Sequence, residues 1–233
     1  MVNIIIRLSI LMTISINLFE SYSRDAPPLQ KIISAFEADI LSMIKKEGIP
    51  GIAVAIVSHN KVHYQKAFGV KCLGKPDKLT SKTLFQVGSI SKPISATLAS
   101  IMQEKGKIDF EATWQDMKVS HILSHSTGIP KEGFNNLIES RVPREKIMAK
   151  IQETSNLKVP GTFFSYHNVV YGFIKDILEN ACHESFEDML HNQIFIPLNM
   201  KQSCIGLEPL LSSSDKACPH IKNNKRVYIP CKT

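Results

Sequence analysis

Residues 85–100 read FQVGSISKPISATLAS, and the chain changes character inside them. Val87-Gly88 is a turn signal, Ser89 follows it, and from there apolar side chains recur at helical spacing until Gly106. Upstream the period is different. GIAVAIV (51–57) is a short run rich in β-branched residues, SHNK is polar, and VHYQKAFGV (62–70) is apolar again. Two apolar runs about a polar turn predict a hairpin. Further back, apolar residues at 29, 32, 33, 36, 40, 41 and 44 predict an amphipathic helix that Gly48 and Pro50 stop. Downstream, HILSHSTGIP (121–130) reads as a short helix running into a Gly turn. PREKIMAKIQE (143–153), HNVVYGFIKDILENA (167–181) and SFEDMLHNQIFIPLNM (185–200) read as three further helices. After residue 200 only RVYIP (226–230) is strand-like. Helix, hairpin, then a helical block predicts a mixed α/β (α+β) fold, with an antiparallel sheet packed on a helical region. A lone hairpin is marginal in water, so this sheet needs a covering helix or more strands.

The 233 residues suit one domain, and 43% hydrophobic with 21% charged residues excludes a disordered or collagen-like chain. The formal net charge is +7. Aromatics are only 7%, and Lys222, Lys225 and Arg226 have no aromatic interleaving, so nucleic-acid binding is not expected. The beginning, IIIRLSILMTISINLF (4–19), has Arg7 as its only charge and an apolar run too short to span a bilayer. Ser21 and Ser23 suit signal-peptidase subsites. Residues 1–23 are therefore expected to be a signal peptide ahead of a domain at 24–233, with a periplasmic or secreted product. An uncleaved signal anchor is the one membrane attachment this leaves open. The five cysteines, Cys72, Cys182, Cys204, Cys218 and Cys231, cannot all pair within the chain, and none has C-x-x-C spacing. Cys72 and Cys182 are expected to be small buried hydrophobes, and any disulfide to lie among the other three.

Three groups of residues could carry chemistry. In Ser89-Ile90-Ser91-Lys92, positions i and i+3 share a helix face, so the Lys92 ammonium can ease formation of a Ser89 alkoxide or act as its base. The same spacing occurs at Ser42/Lys45, Ser58/Lys61, Ser155/Lys158 and Ser213/Lys216, but only Ser89 follows a Gly turn and opens an apolar helix. The competing role for Ser89 is a helix N-cap. Tyr166-His167-Asn168 follows the turn Val159-Pro160-Gly161. A phenol near cations can be an acid or base, and Asn offers a donor and an acceptor. The competing role is a helix start with a buried Tyr. His121 and His125 stand at i, i+4, but Ile122 replaces the Glu a metalloprotease needs, so a structural turn is expected rather than a metal site.

FQVGSISKPISATLAS, HILSHSTGIP, PGTFFSYHNVVYGFIKDILE and IFIPLNM occur in that order. Together they resemble the serine β-lactamase-like superfamily, most closely class C β-lactamases, DD-carboxypeptidases and related esterases. The resemblance runs from about Leu29 to about Met200. It implies Ser89 as acylated nucleophile, Lys92 as its proton-transfer partner, Tyr166 as second acid/base group and Asn168 as holder of the substrate amide. HILSHSTGIP is implied to be a structural turn. The implied substrate is a small β-lactam or a peptidoglycan-type D-alanyl peptide, with no metal and no organic cofactor. His167 departs from the Ser or Ala usual at that place. The family's third element, Lys or His, then Ser or Thr, then Gly, has no counterpart downstream of Asn168. The expectation is an incomplete domain whose acylation survives better than turnover; the alternative is an inactive remnant or a peptide- or cell-wall-binding protein.

Overall fold

A computed structural model describes residues 28–114, 117–131, 134–140, 142–153, 158–222 and 228–230; the expected signal peptide lies outside them. The described residues divide into two compact units, one made of those up to Thr83 together with those from Ser214 on, the other of those within Leu84–Ser213.

In the first unit the amphipathic pattern forms helix α1, Leu29–Glu47, with Ile33 and Ile40 buried. Gly48 takes a left-handed conformation and donates its N–H to the Ile44 carbonyl, while Lys45 and Lys46 sit at the negative end of the helix dipole. Strands β1 (Gly51–Ser58) and β2 (Lys61–Gly69) form the expected antiparallel hairpin. His59 and Asn60 both have positive φ, 49° and 58°, as a two-residue hairpin turn requires. The register shifts between Ile56 and Val57, which leaves His63 as an extra residue; its ring meets Ser58 Oγ at 2.8 Å. Helix α1 covers one side of the hairpin. Tyr64 donates to Glu37 at 2.8 Å, Lys66 pairs with the same carboxylate at 2.9 Å, and the Phe36 and Tyr64 rings meet edge-on at 6.3 Å. Gly69, at φ 86°, lets the chain pass so close to Pro50 that a Cβ there would strike the Pro50 carbonyl.

The segment after Ser213 is fastened to residues 71–83. Lys71 pairs with Asp215 at 2.9 Å, Thr83 donates to Asp215 at 2.7 Å, and the Leu73 N–H donates to His220 Nε2 at 3.1 Å. A disulfide joins Cys72 to Cys218 across 146 residues of sequence. This corrects the cysteine expectation: Cys72 is buried, but as a bonded half-cystine, and Cys218 finds its partner far upstream. Cys182 and Cys204 are free. Strands β5 (His220–Lys222) and β6 (Tyr228–Pro230) pair antiparallel, so the strand read in RVYIP has a short neighbour that the sequence did not announce.

The second unit is helical around α2, Ser91–Glu104, whose Leu98, Ala99 and Met102 are buried. Two short strands, β3 (Thr113–Trp114) and β4 (Met117–Lys118), lead into α3 (Val119–Leu123). Helices α4 (Asn135–Glu139) and α5 (Arg144–Glu153) follow. The helix expected over 167–181 is broken into α6, Asn168–Tyr171, and α7, Ile174–Cys182. The break falls at Gly172-Phe173, a weak helix former beside a large apolar residue. Phe173 is 1% exposed and its ring lies 4.9 Å from that of Trp114, so burial of an aromatic ring wins over helix continuity. Helix α8, Phe186–Leu190, capped by Ser185, continues into a wide turn over His191–Phe195 and adds Met189, Leu190, Ile194 and Phe195 to the core. Among the described residues no helix is long and apolar enough to cross a membrane.

The disulfide closes a long loop, so its loss should cost about 2–5 kcal/mol by relaxing the unfolded chain. We expect Cys72→Ser to lower the unfolding free energy obtained from chemical denaturation by that much, with a lower midpoint, and reduction of the unmutated protein to reproduce the loss. Cys204→Ser, at an exposed free thiol, should leave the midpoint unchanged.

Candidate active site

Ser89 sits in the single 3₁₀ turn Gly88–Ile90 that leads into α2. Gly88 has φ 52°, the conformation that turns the chain into the helix. The first residues of α2 receive no side-chain cap, so the N-cap role is not the one Ser89 fills. Its Oγ instead lies 2.7 Å from Tyr166 Oη and accepts from Lys92 Nζ at 3.1 Å. Lys92, one turn on, also donates to Asn168 Oδ1 at 2.7 Å. All four residues named from the sequence thus converge, although Tyr166 and Asn168 lie more than seventy residues from Ser89 and Lys92. Ser89 and Asn168 are exposed, while Lys92 and Tyr166 are half-buried.

The lysine is embraced by aromatic faces. Its Nζ lies 4.7 Å from the Tyr166 ring centre and 5.7 Å from that of Tyr171. Tyr171 donates its hydroxyl to the Lys92 backbone carbonyl at 2.8 Å. Nothing in the sequence hints at this contact, because Tyr171 reads there as one more apolar residue of a helix. The Lys92 ammonium beside Tyr166, and then the Ser89 hydroxyl, hold the phenol below its ordinary range, because both favour the phenolate. Burial pushes the Tyr171 phenol the other way. Two tyrosines a few residues apart are thereby tuned oppositely, one toward the phenolate and one toward the neutral phenol.

The two histidines of HILSHSTGIP bind backbone. His121 Nδ1 accepts the Lys118 N–H at 3.3 Å, and His125 Nδ1 accepts the His167 N–H at 3.2 Å. Among the described residues no group of His, Cys, Asp or Glu is arranged to hold a metal ion. His167 is 1% exposed; its Nδ1 caps α6 by accepting the Val170 N–H at 3.3 Å, and its Nε2 has no protein partner. Burial, with the neighbouring His125, pushes its pKa down to about 4, so it stays neutral. Beside Tyr166 lies a cavity of about 660 Å³ whose lining includes Ile129, Pro130, Lys158, Phe163 and Phe164.

A family model described as Beta-lactamase matches residues 29–227. The chain belongs to the Beta-lactamase family, and the serine β-lactamase-like resemblance read from its motifs holds. A β-lactamase of Escherichia coli is 25% identical over 193 residues, which is 77% of this chain and 50% of that protein. The octameric penicillin-binding protein homologue from Pyrococcus abyssi superposes with a TM-score of 0.75 at 24% identity, over 85% of this chain and 50% of that one. A class C β-lactamase superposes with a TM-score of 0.72 at 23% identity, over 87% and 58%. The chain spans about half the length of such relatives. These likenesses establish the fold and a β-lactamase-like hydrolase kinship.

Two outcomes are expected. Removing the Lys92 charge in Lys92→Met should raise the Tyr166 phenol toward its ordinary value, since the cation is the larger cause of its lowering. Difference absorbance against Tyr166→Phe isolates that titration. For His167, the unfolded chain binds a proton below about pH 6.5 that the folded protein refuses until about 4. Its share of stability is therefore complete above about pH 6.5 and drains away as pH falls toward 4. His167→Asn, which keeps an acceptor for Val170, should flatten that part of a denaturation-versus-pH curve.

Proposed function

We propose that this chain is a serine hydrolase of the β-lactamase/DD-peptidase kind, exported behind a leader at residues 1–23, with residues 24–233 as the hydrolase-type part, short of the family's third element as read in the sequence. Its substrate is a β-lactam or a D-alanyl peptide, and its reaction passes through an acyl group on Ser89. The observation that carries this reading is the triangle of Ser89 Oγ, Tyr166 Oη and Lys92 Nζ, with separations of 2.7 and 3.1 Å at the serine. These are within the reach expected of a nucleophile and its proton partners.

In this reading Tyr166, with Lys92 beside it, takes the Ser89 proton as Oγ bonds to the carbonyl carbon. The carbonyl π electrons move onto oxygen, and the backbone N–H of Ser89 is the donor we assign to that oxyanion. Collapse of the intermediate breaks the carbon–nitrogen bond, and the proton held by Tyr166 passes to the departing nitrogen. Water then attacks the ester carbonyl and gives up a proton to the same pair; the bond from the carbonyl carbon to Oγ breaks, that proton passes to Oγ, and the acid and Ser89 are freed. Asn168, fixed by Lys92, presents its amide N–H₂ to the substrate. Relatives described as β-lactamases, and one described as a penicillin-binding protein, support this substrate class.

The test is covalent labelling of the full chain by a fluorescent penicillin, with the modified peptide located by mass spectrometry. One label on Ser89 is expected, absent in Ser89→Ala and slowed by about 10²-fold or more in Tyr166→Phe. Label that persists in Ser89→Ala overturns the reading. Nitrocefin and D-alanyl peptide hydrolysis, measured side by side, then separate the two substrate classes.

A further inference from the structure

Tyr166 must keep its hydroxyl on Ser89, yet it sits in the stretch Gly161–His167, which belongs to no helix or strand. Something other than secondary structure has to hold it. The contacts around it converge on one residue. The His125 backbone carbonyl accepts the Ser165 N–H at 2.7 Å, and His125 Nδ1 accepts the His167 N–H at 3.2 Å. Between those two bonds the His125 ring lies against the Tyr166 ring, with centres 4.5 Å apart and planes tilted by 35°. His125 thus touches three successive residues, 165, 166 and 167, with Tyr166 in the middle. Its ring also lies 4.9 Å from that of Tyr171, which is bonded to the Lys92 carbonyl, so the same side chain is referred to both halves of the site. His125 itself has φ 56°, in the left-handed region at the end of α3, which suits a residue whose place is fixed by function.

We infer that His125 is a positioning residue for Tyr166, holding the phenol against Ser89 by accepting the His167 N–H and bracing the Tyr166 ring. The inference rests on the proposed role of Tyr166 but has its own readout. The Nδ1 bond is the decisive contact, because His167 is buried and its N–H would lose its acceptor without it. For Nδ1 to accept, the neutral ring must carry its proton on Nε2. Burial, and then the nearby Lys92 charge, favour that neutral form.

Two substitutions separate the contacts. His125→Asn can place its amide oxygen near the position of Nδ1 while removing the ring. His125→Phe keeps a ring and removes the acceptor. If His125 acts by positioning, Phe should slow penicillin labelling by about 10–10²-fold, the size expected when a reacting group is displaced by an ångström or less. Asn should recover most of the rate. The second readout, the Tyr166 titration by difference absorbance, does not depend on any acylation. In His125→Phe the phenol should move back toward its ordinary value as it leaves Lys92 and Ser89, and in His125→Asn it should not. A His125→Phe protein that melts cooperatively and matches the unmutated chain in the titration overturns the inference, as does His125→Asn behaving like His125→Phe. An unmutated chain that takes no label would count against the Ser89 reading alone, while the titration would still decide the role of His125.

Discussion

Lys92 puts one positive charge where three separate groups use it. Its Nζ donates to Ser89 Oγ and Asn168 Oδ1, and lies over the face of Tyr166. Those partners come from two stretches of chain that have no reason to meet except this cation and the packing beneath it. The packing is the helical core. Leu98, Ala99 and Met102 on α2 are buried in one cluster with Ile174, Ile177 and Leu178 of α7. Each buried aliphatic side chain of this kind is worth about 1.5–3 kcal/mol, far more than an exposed hydrogen bond contributes. The core therefore sets where α2 lies, and the helical spacing of Ser89 and Lys92 delivers the charge. The polar contacts select the final geometry rather than supply the stability.

The surroundings keep that charge single. Two phenol rings and a neutral imidazole stand around Lys92, and none of them competes with it as a cation. Facing aromatic surfaces hold an ammonium at about 0.5–2 kcal/mol each without pairing it to a carboxylate. A carboxylate in that place would pin the proton on lysine and blunt its effect on the phenol. The same logic explains the different fates of the two tyrosines. Tyr166 faces the cation and the serine hydroxyl, whereas Tyr171 is buried and spends its proton on a backbone carbonyl.

The sequence carried some of this and hid the rest for physical reasons. Ser89 and Lys92 were legible because a helix fixes the relation of positions three apart, and the Gly88 turn marks where that helix begins. The hairpin and α1 were legible from their periods and from Gly48. Tyr166 and Asn168 stood as a candidate group after the Pro160-Gly161 turn, but only the family resemblance lifted them above a helix start with a buried Tyr, since nothing local distinguishes the two. The disulfide was out of reach because spacing says nothing of a pairing across 146 residues, and burial of Cys72 looks the same for a thiol as for a half-cystine. The break at Gly172-Phe173 was hidden because helical periodicity continues across it; only the core that receives Phe173 reveals the turn. His125 read as structural, and its bonds to residues 165 and 167 are the contacts behind the positioning role we infer.

Counting protons at the triangle shows which arrangement the proposed first step requires. Lys92 carries only donors, so the contact at 3.1 Å makes Ser89 Oγ an acceptor. The serine hydroxyl then has its own proton left to give, and the group within reach is Tyr166 Oη at 2.7 Å. The contact with Tyr166 can run in either sense, since the hydroxyl keeps a second lone pair; the proposed step uses the one in which Ser89 donates to the phenol oxygen while receiving from Lys92. That is the polarity a base needs, and it agrees with the lowered phenol, which a cation nearby favours in its deprotonated form. Reversing the serine–tyrosine bond would leave Oγ accepting two protons, with its own aimed elsewhere and no route to the phenol. The charge on Lys92 thus does more than stabilise an anion. In the proposed reaction it also occupies one lone pair of Oγ, and the serine proton then goes to the phenol.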